Sequence, residues 1–266
     1  MQAEPAAAPK PVAAPKQANM LTFAPMINSE CCRFLLAHYG IGYTEERHVF
    51  GLVSLIAFFR KGDLEIPLVE SDGLGLVGPE PLFKHFDPLA SPDRKLASAS
   101  VADQAQIAAD FQRYNNDLAG ETAVIGYYHL LPHKDIMVEP FTRGLPSMEI
   151  SLTRFAYPLL HVLFTALLQL TPKHVAQALA KTRAIFDETD KRIADGRLYL
   201  VGGRFSLSDI ALATAAAPLI LPPFYGSPMP PFQVMPRELQ AIITELRARP
   251  TGKFVMRLFE KHRNGG

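Results

Sequence analysis

Between Met20 and Phe86 short apolar runs alternate with helical periodicity, whereas beyond Pro88, Ser91 and Pro92 only helical patterns recur. That change of period divides the chain into a mixed domain over 20–90 and an all-helical domain over 97–266, preceded by a tail over 1–19. The run Leu21-Thr22-Phe23-Ala24 reads as a strand ended by Pro25, with Asn28 and Ser29 in the loop that follows. Cys31, Phe34, Leu35, His38 and Tyr39 then recur at helical spacing until Gly40, the residue type favoured just past a helix end, which predicts a helix over 30–39. A strand over 43–49 and a helix over 52–60 come next. Two strands, 66–70 and 74–77, flank Asp72-Gly73, a pair suited to a tight hairpin turn, and a helix over 80–86 closes the unit. The order is βαβαββα. In the second domain the periodicity predicts helices over 98–131, 148–170, 173–195, 206–219, 236–248 and 251–262, forming an all-α bundle. The segment 222–236 is too rich in proline for a helix and is expected to run over the surface as an extended loop.

Composition narrows the functional classes. Hydrophobic residues are 48% and charged residues 20% of the 266, a mixture that buries a core. Lys plus Arg number 27 against 26 Asp plus Glu, so no global field favours nucleic acid or an anionic surface, and nucleic acid is not an expected partner. The only cysteines, Cys31 and Cys32, are adjacent, which offers no disulfide framework and suits a reducing, cytoplasmic compartment. Residues 1–19, almost wholly Ala, Pro, Lys and Gln, lack the apolar stretch of a secretory signal and read as a disordered tail. The most apolar segment, 157–170, is interrupted by Pro158 and His161 and is shorter than the ~20 residues that span a bilayer, so it reads as a buried helix without stable membrane insertion.

Three local features are more specific. Ile66-Pro67 opens the third strand shortly before the Asp72-Gly73 turn. The segment from Tyr199 to Leu212 carries Ser206-Leu207-Ser208-Asp209 at a helix start, where Ser206 and Asp209 can each satisfy a backbone N–H that the helix leaves orphaned. Asn28-Ser29-Glu30-Cys31-Cys32-Arg33 occupies the junction of the first strand and first helix. With the βαβαββα unit and the all-α domain, these features resemble the glutathione transferase superfamily, in its less specialised bacterial form, over roughly residues 21–262. The implied fold is an α/β thioredoxin-like domain followed by an all-helical bundle.

The resemblance implies glutathione as co-substrate, a small apolar electrophile as partner, and a homodimer. It puts Asn28 at the catalytic position, where an amide N–H can stabilise a thiolate without being a nucleophile. Ser29, or the N–H groups of Glu30 and Cys31 at a helix N-terminus, would assist. It assigns Ile66 and Pro67, through a cis peptide bond, to the cysteinyl part of glutathione. Gly78 and Pro79 stand where the family grips the γ-glutamyl group, and since proline has no donor to offer, Glu80 is the nearest substitute. Tyr114, Tyr127 and Tyr128 lie on the helix that would face the electrophile. The implied activity is conjugation, thiol-dependent reduction or ether cleavage. The alternative is a non-catalytic ligand-binding protein on the same fold, and a third reading makes Cys31 itself the reactive thiol.

Other signals are weaker. Gly73-Leu74-Gly75-Leu76-Val77-Gly78 has the spacing of a dinucleotide loop, but Pro79 and Pro81 follow where its helix should begin within the motif. His129 and His133 have a helical metal-ligand spacing, with Pro132 between them and no third ligand, so no metal is expected.

Overall fold

The computed structural model describes residues 17–263. The expected tail therefore lies outside the described residues, apart from its last three positions. Of these, Ala18 and Asn19 belong to the first strand, β1 (Ala18–Thr22). It is followed by α1 (Ile27–Tyr39), β2 (Tyr43–Arg47), α2 (Leu52–Lys61), β3 (Leu68–Ser71), β4 (Leu74–Val77) and α3 (Pro79–Phe86). The strands form one sheet in the order β2-β1-β3-β4. β1 and β2 run parallel, while β3 is antiparallel to both β1 and β4. Asp72 and Gly73 both have positive φ, 51° and 78°, as a two-residue hairpin turn requires.

This topology fixes which loops meet. Leu21 pairs with Leu68, and Leu68 with Val77. The end of β1, the end of β2, the start of β3 and the end of β4 therefore share one edge of the sheet. The β1–α1 turn, Ile66-Pro67 and the start of α3 all belong to that edge.

The second domain is all helix, as expected. It comprises α4 (Val101–Phe111), a π-helical segment (Gln112–Leu118) that runs on into α5 (Ala119–Leu130), then α6 (Lys134–Thr142), α7 (Ser147–Leu167), α8 (Pro172–Ile193), α9 (Leu207–Ile220), α10 (Arg237–Ala248) and α11 (Pro250–His262). At the centre is α9, buried on every side apart from half-buried Pro218, and it packs against α1, α4, α5 and α11. A helix this apolar all round belongs in a core. Its buried start is secured by a capping box of Ser206 and Asp209. Asp209 Oδ2 accepts from the Ser206 N–H and hydroxyl, each at 2.9 Å, and Oδ1 accepts from the Leu200 N–H at 2.9 Å.

Three expectations need correction. α1 begins at Ile27, so Asn28 and Ser29 lie in its first turn and not in the preceding loop. α6 was not foreseen, because it is short and contains Pro140. The apolar segment expected to be a core helix is α7, which buries one face (Glu149, Thr153, Tyr157, Leu160 and Phe164) and exposes an equally apolar one, with Met148 80% and Phe155 88% accessible. Hydropathy sums residues and carries no direction, so it cannot tell one packed face from two. By length and composition α7 is the one helix among the described residues that reaches the threshold for spanning a bilayer.

Candidate active site

α1 starts at the sheet edge just defined. Met26 precedes it in an extended conformation and no side chain caps the helix. Among the described residues no protein group accepts from the N–H of Ile27, Asn28 or Ser29. These orphaned donors and the positive end of the helix dipole favour an anion there. The Asn28 amide also has no partner among the described side-chain hydrogen bonds, and with Met26 and Ile27 it lines a cavity of about 280 Å³ between the two domains.

The opposite wall is one face of the helix that runs through the π-helical segment into α5. Asn115, Ala119, Ala123 and Tyr127 recur every four residues along it, joined by Gly120, Thr122, Gly126 and Leu130. Met137 and Pro140 of α6 and Pro218 of α9 add to the lining. The proline-rich segment supplies Tyr225, Pro228, Met229 and Pro230. This corrects the expectation for 222–236: the segment is not a surface strap but a wall of the cavity. No lining residue is Asp, Glu, Lys, Arg or His.

That wall is tied to α1 by buried charge. Arg33, 1% exposed, donates from Nη1 to Glu30 Oε2 at 3.2 Å and to Ser227 Oγ at 2.8 Å. Its Nε and Nη2 reach Glu45 of β2 at 2.7 and 3.1 Å, and Nη2 also donates to the Ala24 carbonyl at 3.3 Å. Glu30 is fully buried; its Oε2 accepts from the Gly226 N–H at 3.0 Å and its Oε1 from Arg263 at 3.3 Å. Ser227 Oγ donates in turn to the Ala24 carbonyl at 2.9 Å. Every buried charge in this cluster is paired, the condition under which burial is tolerated.

The structure separates the sequence-derived candidates. Asn28 and Tyr127 both line the cavity. Ser29 is fully buried behind it, with its hydroxyl against Thr22 Oγ1, so it is not available to a ligand. Cys31 and Cys32 are unpaired thiols without solvent exposure. Burial, only partly opposed by a hydrogen bond from Thr214, pushes the Cys31 thiol up to about 12. A thiol in that state is inert near neutral pH, which removes the reading that made Cys31 the nucleophile. Tyr114 and Tyr128 are corrected as pocket residues. Each is one position from a lining residue, Tyr114 from Asn115 and Tyr128 from Tyr127. Tyr114 is buried with its hydroxyl 3.2 Å from Thr189 Oγ1, and Tyr128 lines a separate crevice with His129, His133 and His161. Among the described residues no cluster of His, Cys, Asp or Glu suits a metal ion.

At the rest of the sheet edge, the Ile66-Pro67 bond is cis. The backbone N–H and C=O of Ile66 pair with nothing among the described residues, which leaves them free for another backbone. The start of α3 offers less. Pro79 and Pro81 remove two N–H groups from its first turn, the Gly78 N–H is spent on the Pro67 carbonyl at 2.9 Å, and Glu80 points a carboxylate at Lys84, 2.7 Å away. This edge therefore offers a free backbone N–H and C=O at Ile66 and few donors for a carboxylate at the start of α3.

Asn115, Gly126 and the proline-rich wall were missed by sequence reasoning. The signal for the helix face was present in the four-residue spacing back from Tyr127. The wall had no sequence signal, because its position depends on the Arg33–Ser227 contact, two residues far apart in the chain.

Comparison with known proteins agrees with this architecture. Residues 172–248 match the family model of the glutathione S-transferase C-terminal domain. A possible glutathione S-transferase from Rhodopseudomonas palustris superposes with a TM-score of 0.58 at 13% identity, covering 93% of this chain and 95% of its own. The beta-etherase LigF from Sphingobium sp. strain SYK-6 gives 0.56 at 14% identity, covering 90% and 98%. Ure2p in complex with S-hexylglutathione gives 0.54 at 13% identity, covering 90% and 97%. No match was found among curated protein sequences.

Proposed function

We propose, from the premise that this chain is a member of the glutathione S-transferase superfamily by its C-terminal domain and its fold, that it catalyses displacement by a thiol on a small apolar electrophile. The observation that carries the reading is Asn28, an unpaired amide beside uncapped N–H groups at the mouth of an apolar cavity. Bound glutathione supplies the nucleophilic sulfur, whose proton passes to solvent while the leaving group departs with its bonding pair. The protein's part is to favour the sulfur anion and to hold the electrophile. Asn28 Nδ2 and the free N–H groups of the first turn of α1 donate to that anion, and each such bond to a charged group contributes ~1.5–3 kcal/mol. Ile66 pairs its backbone with the cysteinyl unit. The cavity excludes water from the reacting atoms and raises the local concentration of the electrophile. Conjugation, reduction and ether cleavage share this displacement and differ in the electrophile.

Replacing Asn28 by Ala is expected to lower kcat/KM for glutathione-dependent displacement roughly ten- to hundredfold without changing the unfolding midpoint. Unchanged turnover would reject the assignment. A second reading, a non-catalytic ligand-binding protein, is favoured by the start of α3, where prolines and Glu80 replace donors. Calorimetry separates the two: the enzyme reading expects glutathione to bind, weakly for want of a γ-glutamyl grip, while the binding-protein reading expects no heat with glutathione and retained binding of apolar ligands.

The reading includes a homodimer, for which the exposed face of α7 supplies an apolar surface, and a reducing cytoplasmic setting, which the two unpaired thiols suit.

A further inference from the structure

Resting on the transferase reading, we infer that the cavity selects a flat, uncharged, hydroxyl-bearing aromatic compound, laid against Gly126 and Ala123 and read by Asn115. Gly126 sits inside α5 with an ordinary helical backbone, so no positive φ demands glycine there. A Cβ at Gly126 would meet nothing within 4 Å, so no close packing demands it either. Glycine inside a helix is destabilising relative to alanine, and neither of the usual reasons for accepting that cost applies. What the missing side chain provides is open space, on the face that lines the cavity. One turn earlier Ala123 keeps the same surface low, so this strip is shallow and broad enough for a ring plane and bare of charge. At about 280 Å³ the cavity lies just below the ~300–1,000 Å³ typical of ligand sites, which limits the ligand to a compact ring system.

Asn115 supplies the polar reading. It projects from the π-helical segment, an irregularity that turns helix side chains out of their regular positions, and its side chain lines the cavity. Its Nδ2 donates to Asn116 Oδ1 at 3.3 Å, whereas its Oδ1 is buried and accepts nothing. A buried acceptor without a donor is costly, and a ligand hydroxyl turned towards Asn115 satisfies it. An anionic group laid on the strip of Ala123 and Gly126 has no charged side chain in the lining to meet it and is rejected there by desolvation, the donors at the start of α1 favouring an anion at their own end of the cavity alone.

The test uses naphthol, its methyl ether and naphthalene sulfonate as fluorescent probes, titrated into the full chain without any thiol. The expected result is that naphthol binds about tenfold or more tightly than either analogue. Gly126→Val is expected to weaken naphthol about tenfold or more with an unchanged or raised unfolding midpoint, and Asn115→Leu to abolish the preference over the methyl ether. Equal binding of the three probes, or naphthol binding indifferent to Gly126→Val, overturns the inference. Glutathione binding is measured separately by calorimetry. Its absence alongside the expected probe pattern overturns the transferase reading and leaves the ligand assignment standing; conjugation of small aliphatic electrophiles without naphthol binding does the reverse.

Discussion

Arg33 Nη1 and Ser227 Oγ lie 2.8 Å apart, joining the first helix to a proline-rich segment 194 positions later in the chain. Through that contact the wall of the cavity is held by the same helix that presents Asn28. Arg33→Met is expected to destabilise the fold by ~3–5 kcal/mol, because it leaves Glu30 buried with its partners depleted. Ser227→Ala removes one hydrogen bond and is expected to cost about 1 kcal/mol while weakening ligands of the cavity more than that. Urea unfolding and probe titration of the two variants check both statements.

Asp209 secures α9 by accepting from the backbone N–H groups of Leu200 and Ser206. Asp209→Ala leaves two buried backbone N–H groups without partners, and a loss of ~2–4 kcal/mol in urea unfolding is expected. Affinity for cavity ligands should be retained wherever the variant remains folded, since Asp209 does not line the cavity.

The two cysteines give a chemical test of the corrected site. With the Cys31 thiol pushed up to about 12 by burial, and burial raising the Cys32 thiol as well, neither should react with a thiol-specific disulfide reagent in the folded protein at mildly alkaline pH. Both should react once the chain is unfolded. Rapid labelling of Cys31 in the native state would return it to the list of nucleophiles.

The strand and helix order, the Asp72-Gly73 turn and the Ser206–Asp209 cap follow from local period and local chemistry, and they could be read directly. Positions one residue from the lining face, such as Tyr114 and Tyr128, could not be separated from Tyr127, because a helix turns about 100° per residue and a π-helical segment shifts its phase. The second apolar face of α7 and the closure of 222–236 over the cavity are decided by contacts between distant residues. Ser29, expected to assist Asn28 from a loop, is part of α1 and packs against Thr22.

Acid should weaken the first domain through Glu46 of β2. The hydrogen bond from Arg60 of α2, with smaller help from His48 and Asn19, holds its carboxyl down at about 2, against the usual 4.5. Because the folded-state value lies below the unfolded one, the stabilisation is fully present above about pH 4.5 and is lost as pH falls towards about 2. Glu46→Gln is expected to flatten that part of the stability profile, measured by urea midpoints across the acid range.

Stabilisation of a thiolate by Asn28 and the start of α1 is read out by pH titration of the ultraviolet thiolate absorbance of protein-bound glutathione. A bound thiol pKa clearly below the free value of about 8.5 is expected, returning towards it in Asn28→Ala. A bound thiol that titrates as in free solution, or an equal depression in both proteins, would contradict it.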